Sequence, residues 1–279
     1  MILIKLIATD LDGTLMSPDH LTVTERTVNT LKTAHDKGIK IAIATGRPMA
    51  LVDNVVTQVP FVDYIIYSNG ACVYDRNTEK VIYSNLIENK LSVELIDYLL
   101  ENKVFFEIYV HGKSYYQMGT EALFDNTEFP QKFINEVIKT MTGCVSLTDF
   151  LNGEGVEKIT LYSVKDHDRE KFKNRFSAAG LAVASSFPGN VEATAGTADK
   201  GEALKGICQL IGITADECMS FGDAGNDTPM LKFAKYSFAM GNASDECKAA
   251  AKYIALSNAQ DGLAAAVEEY ALSRRAQFG

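Results

Sequence analysis

Apolar positions along the chain keep two rhythms. In the first third, near-continuous apolar runs at residues 2–8, 39–44 and 64–67 predict strands buried on both faces. Between the first two, residues 24–37 predict a helix, with Thr24 as cap, Val28, Leu31 and Ala34 on one face, and Gly38 beyond its end. Pro48 suits the first turn of a second helix, whose inner side would carry Leu51, Val52, Val55 and Val56. Strand and helix in strict alternation, joined by short links, predict a right-handed, doubly wound parallel sheet.

From Ala71 the rhythm changes. Residues 72–74 and 81–83 flank a polar turn as a hairpin would, 91–102 are helical in period, and 104–110 and 114–117 predict antiparallel strands. Helices at 131–140 and 166–179, with strands at 158–164 and 181–187, complete an α+β segment. After Asn190 the parallel rhythm returns: helix 200–211, strand 217–221, helix 227–235, strand 236–240 and a last helix 262–272. The simplest organisation is a discontinuous core, 1–84 and 189–279, with an inserted domain at 85–188.

The chain has 279 residues, enough for two domains, and its 47% hydrophobic and 23% charged content is ordinary for a globular protein. A formal charge of −9 gives no electrostatic footprint for nucleic acid or an anionic membrane. No run approaches the ~18 to 20 apolar residues of a membrane span, and residues 1–8 read as a strand, not a signal peptide. Five scattered cysteines without a CxxC pair predict a reducing cytoplasm.

Four short stretches then stand out: Asp10-Leu11-Asp12-Gly13-Thr14, Thr45-Gly46-Arg47, Lys200-Gly201 and Gly222-Asp223-Ala224-Gly225-Asn226-Asp227. Each lies at a predicted strand end or helix start, where an open parallel sheet meets its ligand. Asp10 and Asp12, with Leu11 between them, can converge on one site. Thr45 and the Gly46 N–H are placed as neutral phosphate donors near a helix start. Arg47 fits either a substrate contact or a surface ion pair. Lys200 opens a helix against the helix dipole, so another group has use of its charge. The last stretch is neither a Walker loop nor a dinucleotide fingerprint. Clustered carboxylates call for a hard cation on oxygen ligands, and Mg²⁺ fits better than Ca²⁺. The inventory suits a phosphate ester held on Mg²⁺ and attacked by an aspartate.

The motifs, in this order and spacing, resemble the haloacid dehalogenase superfamily, and within it the Cof-type phosphatases with a large cap inserted between the second and third motifs. Ser68-Asn69-Gly70-Ala71, Met240-Gly241-Asn242-Ala243 and Asp261-Gly262 extend the resemblance nearly end to end. It implies a Rossmann-like core with an α+β cap, and a Mg²⁺-dependent phosphatase acting on a small phosphorylated metabolite, a sugar phosphate first of all. By the same resemblance Asp10 is the nucleophile that forms an aspartyl-phosphate. Asp12 is the general acid and then base, and lends its backbone carbonyl to the metal. The Leu11 N–H, Thr45, Gly46, Lys200 and Asn226 hold phosphate; Asp10, Asp12 and Asp223 hold Mg²⁺; Asp227 orients Lys200.

A phosphotransferase or mutase would use the same aspartyl-phosphate, with a sugar hydroxyl in place of water. A dehalogenase has no use for the metal site, and a phosphoacceptor signalling module has no use for Asp12 or a cap. His20, His35, His111 and His167 lack metal-ligand spacing and read as structural or exposed. Where the family commonly has threonine after the strand near residue 254, this chain has Ala255.

Overall fold

A computed structural model of the chain describes residues 4–124, 138–185 and 189–273. They form two compact units. The first takes in the chain up to Arg47, then Leu51–Tyr83, and the chain from Asp199 onward; the second comprises Pro48–Ala50 and Ser84–Ala198.

The first unit is doubly wound α/β. Its eight-stranded sheet has the order β14-β13-β12-β1-β2-β3-β4-β5. The strands are β1 (Leu6–Thr9), β2 (Lys40–Ala44), β3 (Tyr64–Tyr67), β4 (Cys72–Asp75), β5 (Lys80–Ser84), β12 (Cys218–Gly222), β13 (Tyr236–Ala239) and β14 (Tyr253–Ile254). All pair in parallel from β14 to β3, and β4 turns back antiparallel to β3. Full burial of β1 and β3 explains their near-continuous apolar runs. The chain winds outward from β1 through β2 and β3, then resumes on the other flank at β12, so the order reverses beside β1. That reversal opens a crevice at the carboxyl ends of β1 and β12.

Helix Glu25–Asp36 is capped as its sequence predicts, Thr24 accepting from the Thr27 N–H. The helix expected after Pro48 is instead a single turn at Met49–Leu51 and a short helix Asp53–Val56. Val52, Val55, Val56 and Thr57 are β-branched, which weakens a helix that must form over so few residues.

The second unit holds a six-stranded sheet of order β10-β11-β9-β6-β7-β8. These strands are β6 (Phe106–Val110), β7 (Lys113–Gln117), β8 (Thr142–Cys144), β9 (Lys158–Leu161), β10 (Ala182–Ala184) and β11 (Val191–Thr194). Neighbours pair antiparallel except β7 with β8. One face is apolar, with Phe106, Ile108, Ile159, Leu161, Val191 and Ala193 all buried. Helices Asn89–Glu101 and Asp166–Ala178 bury apolar stripes that include Leu95, Leu99, Phe172 and Phe176.

One boundary needs correction. The inserted domain was expected to end at 188, with the core resuming at 189, but β11 pairs with β9 and β10, and the core resumes at Asp199. The alternation Val191-Glu192-Ala193-Thr194 is that of an antiparallel strand with distinct faces, not of a parallel core strand. The helix expected at 131–140 falls mostly outside the described residues.

Candidate active site

β1 delivers Asp10 to the carboxyl edge of the first sheet, where its N–H donates to Phe221 O on β12 (3.0 Å). The chain then makes a wide turn, closed by Leu15 N–H to Asp10 O (3.2 Å) and Met16 N–H to Leu11 O (2.9 Å). Inside it Asp12 (φ −77°, ψ 120°) and Gly13 (φ 79°, ψ −4°) occupy the two central positions of a type II turn. Only glycine takes the second position without strain. Thr14 Oγ1 donates to Asp223 Oδ1 (2.9 Å), joining the loop after β1 to the loop after β12.

Lys200 is fully buried at the first turn of helix Lys200–Leu210. Its Nζ lies 2.6 Å from Asp10 Oδ1 and 2.6 Å from Asp227 Oδ1. Asp227 is in turn fixed by its other oxygen, which accepts from the Asp223 N–H (2.9 Å) and the Ala224 N–H (3.0 Å). Single carboxylate oxygens of Asp10, Asp223 and Asp227 lie within 4.8 Å of one another. Three carboxylates against one ammonium leave a formal surplus of two negative charges.

Titration follows that surplus. Burial, then the Asp227 charge, holds the Asp10 carboxyl well above its ordinary range even with Lys200 beside it. Burial and Asp227 push Asp223 up to about 6. Burial alone would lower the Lys200 pKa, but Asp10 and Asp227 outweigh burial and raise it. The field reaches the buried Cys247 thiol, which burial and then Asp227, Asp223 and Asp10 push up to about 12.

The Asp12 carboxylate stands apart from this group. Arg47 grips both its oxygens, Nε to Oδ2 at 2.9 Å and Nη2 to Oδ1 at 2.6 Å, and His20 Nδ1 lies 3.2 Å from Oδ1. Burial would raise the Asp12 pKa, but Arg47 and then His20 prevail and hold it below the usual range. Arg47 is thus an ion-pair partner of Asp12. His20, read from sequence as structural or exposed, faces the same carboxylate. It carries no spacing signal, being presented by a turn that Asp19 ties to Leu21 and Thr22.

Thr45 ends β2 in full burial, its hydroxyl oxygen accepting from the Arg47 N–H (3.1 Å), with Gly46 following. Asn69 N–H donates to Thr45 O (3.0 Å), and Asn226 Nδ2 donates to Asn69 Oδ1 (3.1 Å). Asn69 therefore links the second motif to the fourth, a role that its place in Ser68-Asn69-Gly70-Ala71 signalled only as resemblance. Leu11 is buried at the start of the first loop.

A family profile described as haloacid dehalogenase-like hydrolase matches residues 7–267. Phosphatase YwpJ of Bacillus subtilis is 28% identical over 88% of this chain and 93% of its own length. The 5-amino-6-(5-phospho-D-ribitylamino)uracil phosphatase YcsE of the same organism is 28% identical over 90% of this chain and 89% of its own. Among solved structures, the subclass IIB sugar phosphatase BT4131 superposes with a TM-score of 0.82 at 26% identity, covering 96% of this chain and 100% of that one. No helix among the described residues is long and apolar enough to cross a membrane.

Proposed function

Since the chain belongs to the haloacid dehalogenase-like hydrolases, we propose that it is a Mg²⁺-dependent phosphatase that hydrolyses a small phosphorylated metabolite, a sugar phosphate first of all. The observation that carries this reading is the surplus of negative charge around Asp10, with a buried lysine set against the nucleophile oxygen.

The donor set fits the metal: a compact group of buried and half-buried carboxylates is a poor arrangement by itself and a good one for a hard divalent cation. Asp10 and Asp223, with the backbone carbonyl of Asp12, would hold Mg²⁺, because both oxygens of Asp227 are already engaged. When bound, Mg²⁺ neutralises carboxylate and phosphoryl charge together.

The remaining steps belong to side chains. A carboxylate oxygen of Asp10 attacks phosphorus, and the bond from phosphorus to the ester oxygen breaks. Asp12, once released from Arg47 and protonated from solvent, gives that proton to the departing alcohol, leaving phosphate esterified to Asp10. Asp12 then takes a proton from water as that water attacks the same phosphorus, freeing phosphate and regenerating Asp10. For both steps the Asp12 carboxylate must turn from Arg47 toward the substrate. Lys200 offsets the charge of the transferring group, and the Leu11 N–H, Thr45, Gly46 and Asn226 bind its oxygens. Five free cysteines fit a reducing compartment, and we place the enzyme in the cytoplasm.

The test is a panel of phosphorylated sugars, nucleotides and cofactors assayed for phosphate release with Mg²⁺. The account expects release with water as the sole acceptor. Transfer only when a second sugar is supplied would make the enzyme a phosphotransferase, and no release in any condition would overturn the reading.

A further inference from the structure

Met240-Gly241-Asn242-Ala243 has no part in the chemistry above, yet it touches both loops that carry it. We propose that Asn242 is a positioning residue that ties the loop after β1 to the loop after β12 and so sets the spacing of the metal-holding carboxylates; this rests on the Mg²⁺ phosphatase reading.

The contacts come from one tight turn. Met240 N–H donates to Gly222 O at the end of β12 (3.0 Å), and Ala243 N–H donates to Met240 O (2.9 Å). From this turn Asn242 Nδ2 donates to Gly13 O (2.8 Å), the carbonyl next after that of Asp12. Ser244 N–H donates to Asp223 O (2.9 Å). A stretch from Met240 to Ser244 thereby holds a backbone carbonyl in each ligand loop.

The amide of Asn242 has one usable orientation. Its Oδ1 accepts from the Asn258 N–H (3.0 Å), so Nδ2 must face Gly13. Asn258 Nδ2 donates to Met16 O (3.0 Å) and fixes the far end of the first loop. The turn cannot back away, because Gly241 packs on backbone: a Cβ there would lie 2.9 Å from Ser257 N and 3.2 Å from Ala255 O. Aspartate at 242 would lose the donor, and alanine would lose donor and acceptor. The type II turn around Asp12 would then be free to shift relative to Asp223.

Mg²⁺ binding to the resting enzyme, measured by calorimetry without substrate, tests this directly. Asn242→Ala should weaken Mg²⁺ binding about tenfold or more and lower kcat at saturating Mg²⁺ by a similar factor, as loss of an outer partner does. KM for substrate should stay within about twofold, since uniform phosphate binding is untouched. Asn258→Ala should shift Mg²⁺ affinity the same way by a smaller factor. Asp63→Asn is the structural control, disturbing the pair of the buried Asp63 with the half-exposed Lys40 (2.7 Å) at the opposite ends of the strands. It should lower thermal stability and leave Mg²⁺ affinity unchanged.

Wild-type Mg²⁺ affinity in Asn242→Ala, or equal weakening in Asp63→Asn, would overturn the proposal. If Asn242→Ala does not fold, unchanged affinity in Asn258→Ala does so. A wild type that binds no Mg²⁺ defeats the metal reading itself, before any variant is compared.

Discussion

At the carboxyl edge of the first sheet, three carboxylates, those of Asp10 and Asp227 buried and that of Asp223 half-buried, face one ammonium. On the polar face of the second sheet, Lys158 faces Glu192 one to one at 3.1 Å. Glu107 beside them is closed by hydroxyls: Tyr109 at 2.8 Å, with Ser114 and Tyr162 closer still. Both regions bury charge, the first at Asp10, Lys200 and Asp227 and the second at Glu107, Lys158 and Glu192. Its one surplus carboxylate, Glu107, is closed by three hydroxyls, so the second network can serve as interior scaffolding. The first cannot be at rest alone, since its charge is unbalanced in a low-dielectric setting. The size of the surplus, two negative charges against one, more than burial or perturbed titration, separates the candidate site from the merely polar region.

That contrast breaks most visibly at Asp10. Asp10→Asn should keep the fold and lose at least ~10³-fold in turnover, because an amide of the same shape is a very poor nucleophile and the uncatalysed reaction is extremely slow. Steady-state phosphate release from a preparation free of wild-type enzyme measures it. Asp12→Asn should cost roughly 10² to 10⁴-fold for alkyl phosphates, the range of a general acid–base. The loss should shrink for aryl phosphates, which leave without a proton; equal losses for both would remove Asp12 from that role.

The parts of this contrast differ in how far sequence alone discloses them. β1 and β3 are legible because burial on both faces writes an unbroken apolar run, and Asp10 follows from where the first run stops. β11 is hard to place from sequence because its four residues, Val191–Thr194, lie at the boundary where the parallel rhythm resumes and are too few for their alternation to stand out. β14 has only two residues, Tyr253 and Ile254, too few to register a period. At the site, Asp10, Lys200 and Asp223 are disclosed by spacing within motifs. Thr14, His20 and Asn242 act by side-chain hydrogen bonds to groups distant in sequence, or presented by a turn, and such bonds leave no periodic trace.

A sharper comparison comes from removing charge in each region. Asp223→Asn relieves repulsion, so the metal-free protein should melt at higher temperature while its Mg²⁺ binding falls sharply. The pH dependence has the same origin. Asp10 and Asp223 have folded pKa values above their unfolded ones, so the native state binds more protons above about pH 4. Stability of the metal-free protein should therefore fall as pH rises through about 6, where Asp223 ionises. Added Mg²⁺ should raise the melting temperature more at pH 7.5 than at pH 5, because protons compete for the same oxygens. A shift independent of pH would detach the metal from these carboxylates.

In the second sheet the sign reverses. Glu107→Leu removes the shared acceptor of the Tyr109, Tyr162 and Ser114 hydroxyls and should cost about 1–3 kcal/mol, read from the denaturant midpoint. Mg²⁺ affinity should not move. A stabilising effect would show that this network, too, carries charge for a purpose other than the fold.

The most direct test is a single-turnover reaction with a substrate from the panel, labelled in its phosphoryl group, quenched in acid at successive times. The account predicts labelled protein that rises and decays, with the label on Asp10 and its formation dependent on Mg²⁺. Turnover at full rate with no labelled protein at any time, or label on another residue, would contradict it.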